Sequence, residues 1–127
     1  MKRFLGQHKI LGNNGENIAQ KYYEKAGYFV ISKNIRTRNS ELDFVVKKND
    51  TIIFVEVKTL EIGNKLNFLA DDNFTKRKRH HMKRAIEQYL MSEKPGFKHL
   101  QIDLACVYYH TNKNIWTIKL YENLILE

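Results

Sequence analysis

The chain has 127 residues, 43% of them hydrophobic and 28% charged, with one proline and six glycines. That suffices for one domain with one hydrophobic core, and no run of about 18 apolar residues offers a membrane span. Twenty-two Lys and Arg against fourteen Asp and Glu give a net charge of +8, which favours a polyanionic partner: nucleic acid first, an anionic membrane surface second. The basic start MKRFLGQHKILG is not followed by the apolar segment of a signal peptide, and the single cysteine, Cys106, excludes an internal disulfide framework. Both features predict a cytoplasmic protein.

In chain order, residues 14–26 place Ile18, Ala19, Tyr22, Tyr23 and Ala26 on one stripe of a helix, with Asn13 or Asn14 to cap it and Gly27 to end it. Residues 28–34 and 41–48 read as strands. Asn49-Asp50 is a tight turn, so 41–48 and 51–59 should form an antiparallel hairpin. Residues 75–92 form a second helix, with Met82, Ala85, Ile86, Tyr89 and Leu90 on one face. Pro95-Gly96 breaks the chain, and 99–110 and 114–121 give two more strands. The order α-β-β-β-α-β-β predicts a single α/β domain over residues 1–127, with a mixed five-stranded sheet and a helix on either side.

The third strand, TIIFVEVKTL, has the apolar run of a strand buried on both faces, yet it contains Glu56 and Lys58. Alternate residues share a face, so these two lie about 6.5 Å apart on the side of Phe54. A local Glu–Lys pair, or half-solvation near the strand end, is the plain explanation. The preceding strand adds to it: Glu41 and Asp43 also alternate onto one face, and a turn at Asn49-Asp50 sets Asp43 opposite Glu56. Unless Glu41 and Asp43 only decorate a solvated face, several carboxylates converge and repel one another. A divalent cation relieves that repulsion, and hard oxygen ligands suit Mg²⁺ or Mn²⁺. Glu16 adds a further carboxylate. As a first-turn residue it could serve in a capping box with Asn13, or, with Gly12 and Gly15 allowing close approach to the sheet, reach the same site.

Together these residues carry a resemblance. Asp43, Glu56 and Lys58 across a hairpin look like the PD-(D/E)xK nucleases of the restriction-endonuclease-like superfamily. Gly15-Glu16 with Ala19, Asn34 with Arg36, Glu41-Leu42-Asp43, Phe54 through Lys58, Lys78 in the second helix and Asp103 resemble, as an ordered set along nearly the whole chain, the YraN-like family of predicted endonucleases. That family is related to archaeal-type Holliday junction resolvases. Ser40 and Leu60 depart from its pattern, which has Gly and Arg there, and the missing Arg removes one expected phosphate contact.

The resemblance implies a restriction-endonuclease-like three-layer α/β/α sandwich and metal-dependent hydrolysis of DNA, branched or otherwise structured. Asp43 and Glu56 would be the primary metal ligands, with the Val57 carbonyl as a backbone ligand. Lys58 would orient or deprotonate the attacking water and stabilise developing charge. Glu16 would bind metal through water or complete a second metal site, and Glu41 would be an outer ligand or a support. Symmetric cutting of two strands implies a two-fold homodimer as one assembly, and membership of a larger DNA-processing complex as another.

Binding is expected from Lys76, Arg77, Lys78, Arg79, Lys83 and Arg84 on the second helix, and from Arg36 and Arg38 before the acidic strand. A solvated charged face is the ordinary reading of such a run. Lys78 and Arg79, however, stand one turn before Met82 on the inward stripe, where they would border the acidic site. Contacts of this kind hold phosphates without reading sequence. Adjacent His80 and His81 diverge on a helix and read as surface residues, while Cys106 and Asp103 read as interior ones. The competing functional reading is a non-catalytic nucleic-acid-binding module that keeps the basic helix and uses the acidic cluster structurally.

Overall fold

A computed structural model describes residues 5–38, 40–63 and 76–126, with the side chains of the first helix described from Asn14 onward. The elements follow the expected order: α1 (Leu5–Lys25), β1 (Phe29–Arg36), β2 (Glu41–Lys48), β3 (Thr51–Ile62), α2 (Lys76–Glu93), β4 (His99–His110) and β5 (Ile115–Tyr121). The five strands form one mixed sheet in the order β1-β2-β3-β4-β5. All neighbours are antiparallel except β3 and β4, which run parallel and are joined through α2. A parallel pair needs such a crossover.

Alternation along β3 divides the interior. Ile53 and Val55 meet Phe44, Val46, Ala105 and Val107 in a cluster closed by Ala19 and Tyr23 of α1. Ile52 and Phe54 point the other way, into a cluster with Met82, Ala85, Ile86 and Tyr89 of α2. Each helix thus covers the face its apolar stripe predicts. Among the described residues, no helix is long and apolar enough to cross a membrane.

The hairpin forms as its turn predicts. Lys48 pairs with Thr51, and Asn49 adopts φ 54°, a conformation asparagine tolerates better than most residues. Gly27, at φ 94°, closes α1. Its amide donates to the Glu24 carbonyl and the Tyr28 amide to the Tyr23 carbonyl, the paired bonds of a Schellman end.

The start of α1 differs from the sequence reading. The helix does not begin after an asparagine cap; it runs through Gly12, Asn13, Asn14 and Gly15 from Leu5. Glu16 is therefore a mid-helix residue and caps nothing. Close packing outweighs the poor helix propensity of this stretch: a Cβ on Gly15 would overlap the Thr59 hydroxyl, so only glycine lets α1 lie this near β3. Gly12 lies where side chains are not described, and the expected start of α2 at residue 75 is outside the described residues. β1 and β3 also run further than expected, to Arg36 and Ile62.

A buried polar tie joins three distant parts of the chain. Asp103, 1% exposed, accepts a hydrogen bond from the Tyr23 hydroxyl at 2.5 Å, one from Gln101 Nε2 at 2.9 Å and one from the Asn123 amide at 3.0 Å. Asp103 thus serves the interior, and Cys106 is buried in β4.

The Gly15–Thr59 contact yields the first prediction. Gly15→Ala should lower stability by about 1–3 kcal/mol, the usual cost of overpacking, read as a drop in the urea midpoint. Adding Thr59→Ala, which removes the hydroxyl and the methyl group, should recover part of that deficit.

Candidate functional site: a carboxylate cluster where two strands part

The β2–β3 ladder follows the expected register from Lys48–Thr51 to Phe44–Val55. The next positions are Asp43 and Glu56, and there backbone pairing gives way. The Val57 amide, which would otherwise point at β2, donates to Asp43 Oδ2 at 2.6 Å. β2 meanwhile stays paired with β1, through Ile35–Leu42 and Arg36–Glu41. β2 also turns over at this point. Leu42 packs in the α2-side cluster although Phe44, two residues on, packs in the α1-side cluster. A regular strand would set both on one face.

Three carboxyl groups meet at the parting. Glu16 comes from α1, Asp43 from β2 and Glu56 from β3; the Glu16 carboxyl hydrogen-bonds Asp43, which in turn hydrogen-bonds Glu56. Burial pushes Asp43 up to about 7, and the Glu56 charge adds to the shift while the Val57 amide opposes it. Burial likewise pushes Glu56 up to about 7, opposed by Lys78 and aided by Glu41 and Glu16. Glu16 rises to about 7 as well, through burial, its bond to Asp43 and the charges of Asp43 and Glu41, against the pull of Lys33. Burial is the leading cause at all three, and the charges of the neighbouring acids add to it.

The remaining expected residues are placed unequally. Lys58 is half-buried on β3, two residues beyond Glu56. The cation acting most strongly on Glu56 is nevertheless Lys78, which is exposed in the first turn of α2 and acts through its charge. Glu41 stays at the rim, 49% exposed, with Oε1 3.7 Å from Arg36 Nε, and reaches the cluster only through its charge. Lys76, Arg77 and Lys83 are exposed along α2, Arg79 is half-buried, and Arg38 is exposed after β1. Val57 contributes its amide to the site and its side chain to the α1-side cluster. Lys33, whose charge bears on Glu16, is a residue the sequence reading missed; nothing in its local pattern marks it.

The donor chemistry fits a hard divalent cation: three carboxyl groups meet at one place. Among the described residues, no three His, Cys, Asp or Glu side chains stand ready as a coordination set. One Asp43 oxygen faces the Val57 amide, and the cluster is held together by hydrogen bonds between carboxyls. A cation would have to displace those protons and draw the groups inward.

These elements make an α/β fold whose mixed five-stranded sheet opens at one point around one buried and two half-buried acids. The chain belongs to the uncharacterised protein family UPF0102, whose family model matches residues 15–107, a span that includes every member of the carboxylate cluster. It is 32% identical over 116 residues to a UPF0102 protein of Caldicellulosiruptor saccharolyticus, covering 89% of this chain and 94% of the relative. A UPF0102 protein of Syntrophomonas wolfei is 35% identical over 110 residues, covering 84% and 91%. One from Pelotomaculum thermopropionicum is 31% identical over 115 residues, covering 91% and 94%.

The raised protonation levels predict a pH dependence of stability. With pKa values higher folded than unfolded, the metal-free protein takes up protons on folding between about pH 4 and 7, so its stability falls as pH rises through that window. Its melting temperature should be several degrees higher at about pH 5.5 than at about pH 8. Mg²⁺ should raise it more at the higher pH, where it takes the place of the departed protons. Differential scanning calorimetry of the wild type and of Asp43→Asn, which should flatten both responses, checks this.

Proposed function

We propose that this protein is a metal-dependent nuclease that hydrolyses phosphodiester bonds in DNA, with branched or structured DNA as its preferred substrate. The observation that carries the reading is the meeting of Glu16, Asp43 and Glu56 at the end of the β2–β3 ladder, with Lys58 two residues along β3 from Glu56 and the charge of Lys78 acting on Glu56. A restriction-endonuclease-like three-layer arrangement agrees with helices packed on opposite faces of the mixed sheet, and the resemblance to PD-(D/E)xK nucleases falls on these same residues.

Asp43 and Glu56 would hold Mg²⁺ or Mn²⁺, with Glu16 as a further or water-mediated ligand and the Val57 carbonyl as a backbone one. When bound, the cation would supply Lewis-acid stabilisation of phosphate charge and an acidified water. The chain's own contribution is distinct. The Val57 amide fixes the Asp43 carboxyl at the mouth of the parted strands, so the ligand position is set by backbone rather than by a free rotamer. The Lys58 ammonium would orient the attacking water and offset charge growing on the phosphate. Lys78, whose charge already bears on Glu56, would keep that carboxylate ionised and add a second cation near the scissile group. The surplus of positive charge draws the polyanion to the site.

The absence of a ready coordination set among the described residues favours one competitor, a DNA-binding module whose acids are structural. Labelled four-way junction, flap, single-stranded and duplex DNA, each incubated with Mg²⁺, Mn²⁺ or EDTA, separates the two. Cleavage that needs the metal, and that falls by about 10²-fold or more in Asp43→Ala, Glu56→Ala and Lys58→Ala, is expected. Metal-independent binding without cutting, equal in wild type and Glu56→Ala, would establish the binding module instead. A Lys58→Ala protein that cuts at full rate would remove the role given to that lysine.

A further inference from the structure

A second feature lies beside the acidic centre. Between the β1–β2 connection and α2 is an open cleft of about 410 Å³, walled by Thr37, Arg38 and Ser40 on one side and by His81, Arg84 and Met91 on the other. The residues from α2 form a stripe adjoining the buried one, so packing of Met82, Ala85 and Tyr89 holds them in place. The opposite wall is stiffened by its own turn: the Thr37 amide donates to the Ser40 carbonyl at 2.8 Å, and the two hydroxyls bond at 2.6 Å.

The cleft adjoins the rim of the acidic site. Thr37 and Ser40 also line a shallower hollow with Arg36 and Glu41, and Glu41 is the rim acid whose charge reaches Glu16 and Glu56. A chain of surface therefore leads from Glu41 past Arg36 to Arg38 and Arg84. Two guanidiniums, an imidazole and two hydroxyls face a space large enough for a nucleotide, against one carboxylate, Glu87. Guanidinium forks and hydroxyls are the groups that hold phosphate oxygens. Met91, 76% exposed, offers an apolar wall to a sugar or base edge without distinguishing one base from another.

We infer that this cleft is a binding site for the phosphodiester backbone of the DNA strand flanking the acidic centre, with Arg38 and Arg84 as its principal phosphate ligands. The inference deepens the nuclease reading and rests on it for the direction of the strand. It gives a role to His81, which the sequence reading left on the surface. It also makes Arg84, rather than Lys76, Arg77 or Lys83, the main phosphate group of α2.

Binding measured without cleavage tests it separately from catalysis. Fluorescence anisotropy of a labelled four-way junction in EDTA, across a series of KCl concentrations, gives affinity and its salt slope. Arg38→Gln/Arg84→Gln should weaken binding at least tenfold at low salt and reduce the slope of log K against log salt by about 2, one unit for each phosphate no longer neutralised. Glu87→Gln, which removes the cleft's one negative charge, should tighten binding; it keeps the test open even where the double variant folds poorly. Lys47→Gln/Lys113→Gln, the same charge change away from the cleft, should leave the slope unchanged. Equal slopes in the arginine variant and wild type, or the same weakening in both double variants, would overturn the inference. So would tight capture of inorganic phosphate by a protein whose DNA affinity ignores both arginines. A wild type that binds through these arginines but never cuts would leave the cleft standing and bring down the nuclease reading. One that cuts while the arginine variant binds normally would do the reverse.

Discussion

The hydrogen bond from the Val57 amide to the Asp43 carboxyl organises the rest of the site. A backbone donor in the middle of a sheet must find an acceptor, and the cost of leaving it bare is of the order of 1–3 kcal/mol. Here a side chain replaces the neighbouring strand as that acceptor. Two consequences follow from one exchange of partner. β2 is released from β3 while still paired with β1, and a carboxyl is pinned at the fork. The apolar clusters on either side, together with the parallel pairing of β3 with β4 along its length, keep the sheet intact while one seam is open.

The fork also explains why acids from three elements can meet. A continuous sheet would separate Glu16, on the α1 side, from Glu56, which alternates with Phe54 toward α2. With the strands parted, Asp43 stands between them and hydrogen-bonds both. Gly15, directly before Glu16, brings α1 down onto Thr59 of the same β3 strand that carries Glu56. The missing Cβ of one residue thus sets the reach of its neighbour's carboxyl. The electrostatic result is a cluster that holds protons or cations but is poorly suited to holding neither.

Much of this was legible in the sequence because it follows from short-range rules. The apolar alternation of β2 and β3 and the Asn49-Asp50 turn set the hairpin register, and that register placed Asp43 across from Glu56. The spacing of Lys78 to Met82 put it on the side of α2 from which its charge acts on Glu56, though the residue itself is exposed. Three things were not legible. Gly12 to Gly15 read as a helix start because their propensities are poor, and the contact with Thr59 that overrides them is distant in sequence. The turnover of β2 at Asp43 leaves no pattern, since Glu41, Leu42 and Asp43 alternate as in any strand; Glu41 therefore lies further from the cluster than its alternation implied. The cleft is made from the β1–β2 connection and a stripe of α2 outside the core, a pairing that only the packed fold creates.

The tie at Asp103 bears on how the chain is made. Its three donors come from α1, from β4 itself and from the segment after β5. During synthesis Tyr23 and Gln101 are already present when Asp103 emerges, but Asn123 has still to be added, 20 residues later. Until its amide arrives, a carboxyl that ends 1% exposed must remain hydrated or be buried with one bond missing. The seam between α1 and β4 can therefore close fully only after β5 has been translated and laid against β4. The last strand acts as the latch of a core whose other parts were ready before it.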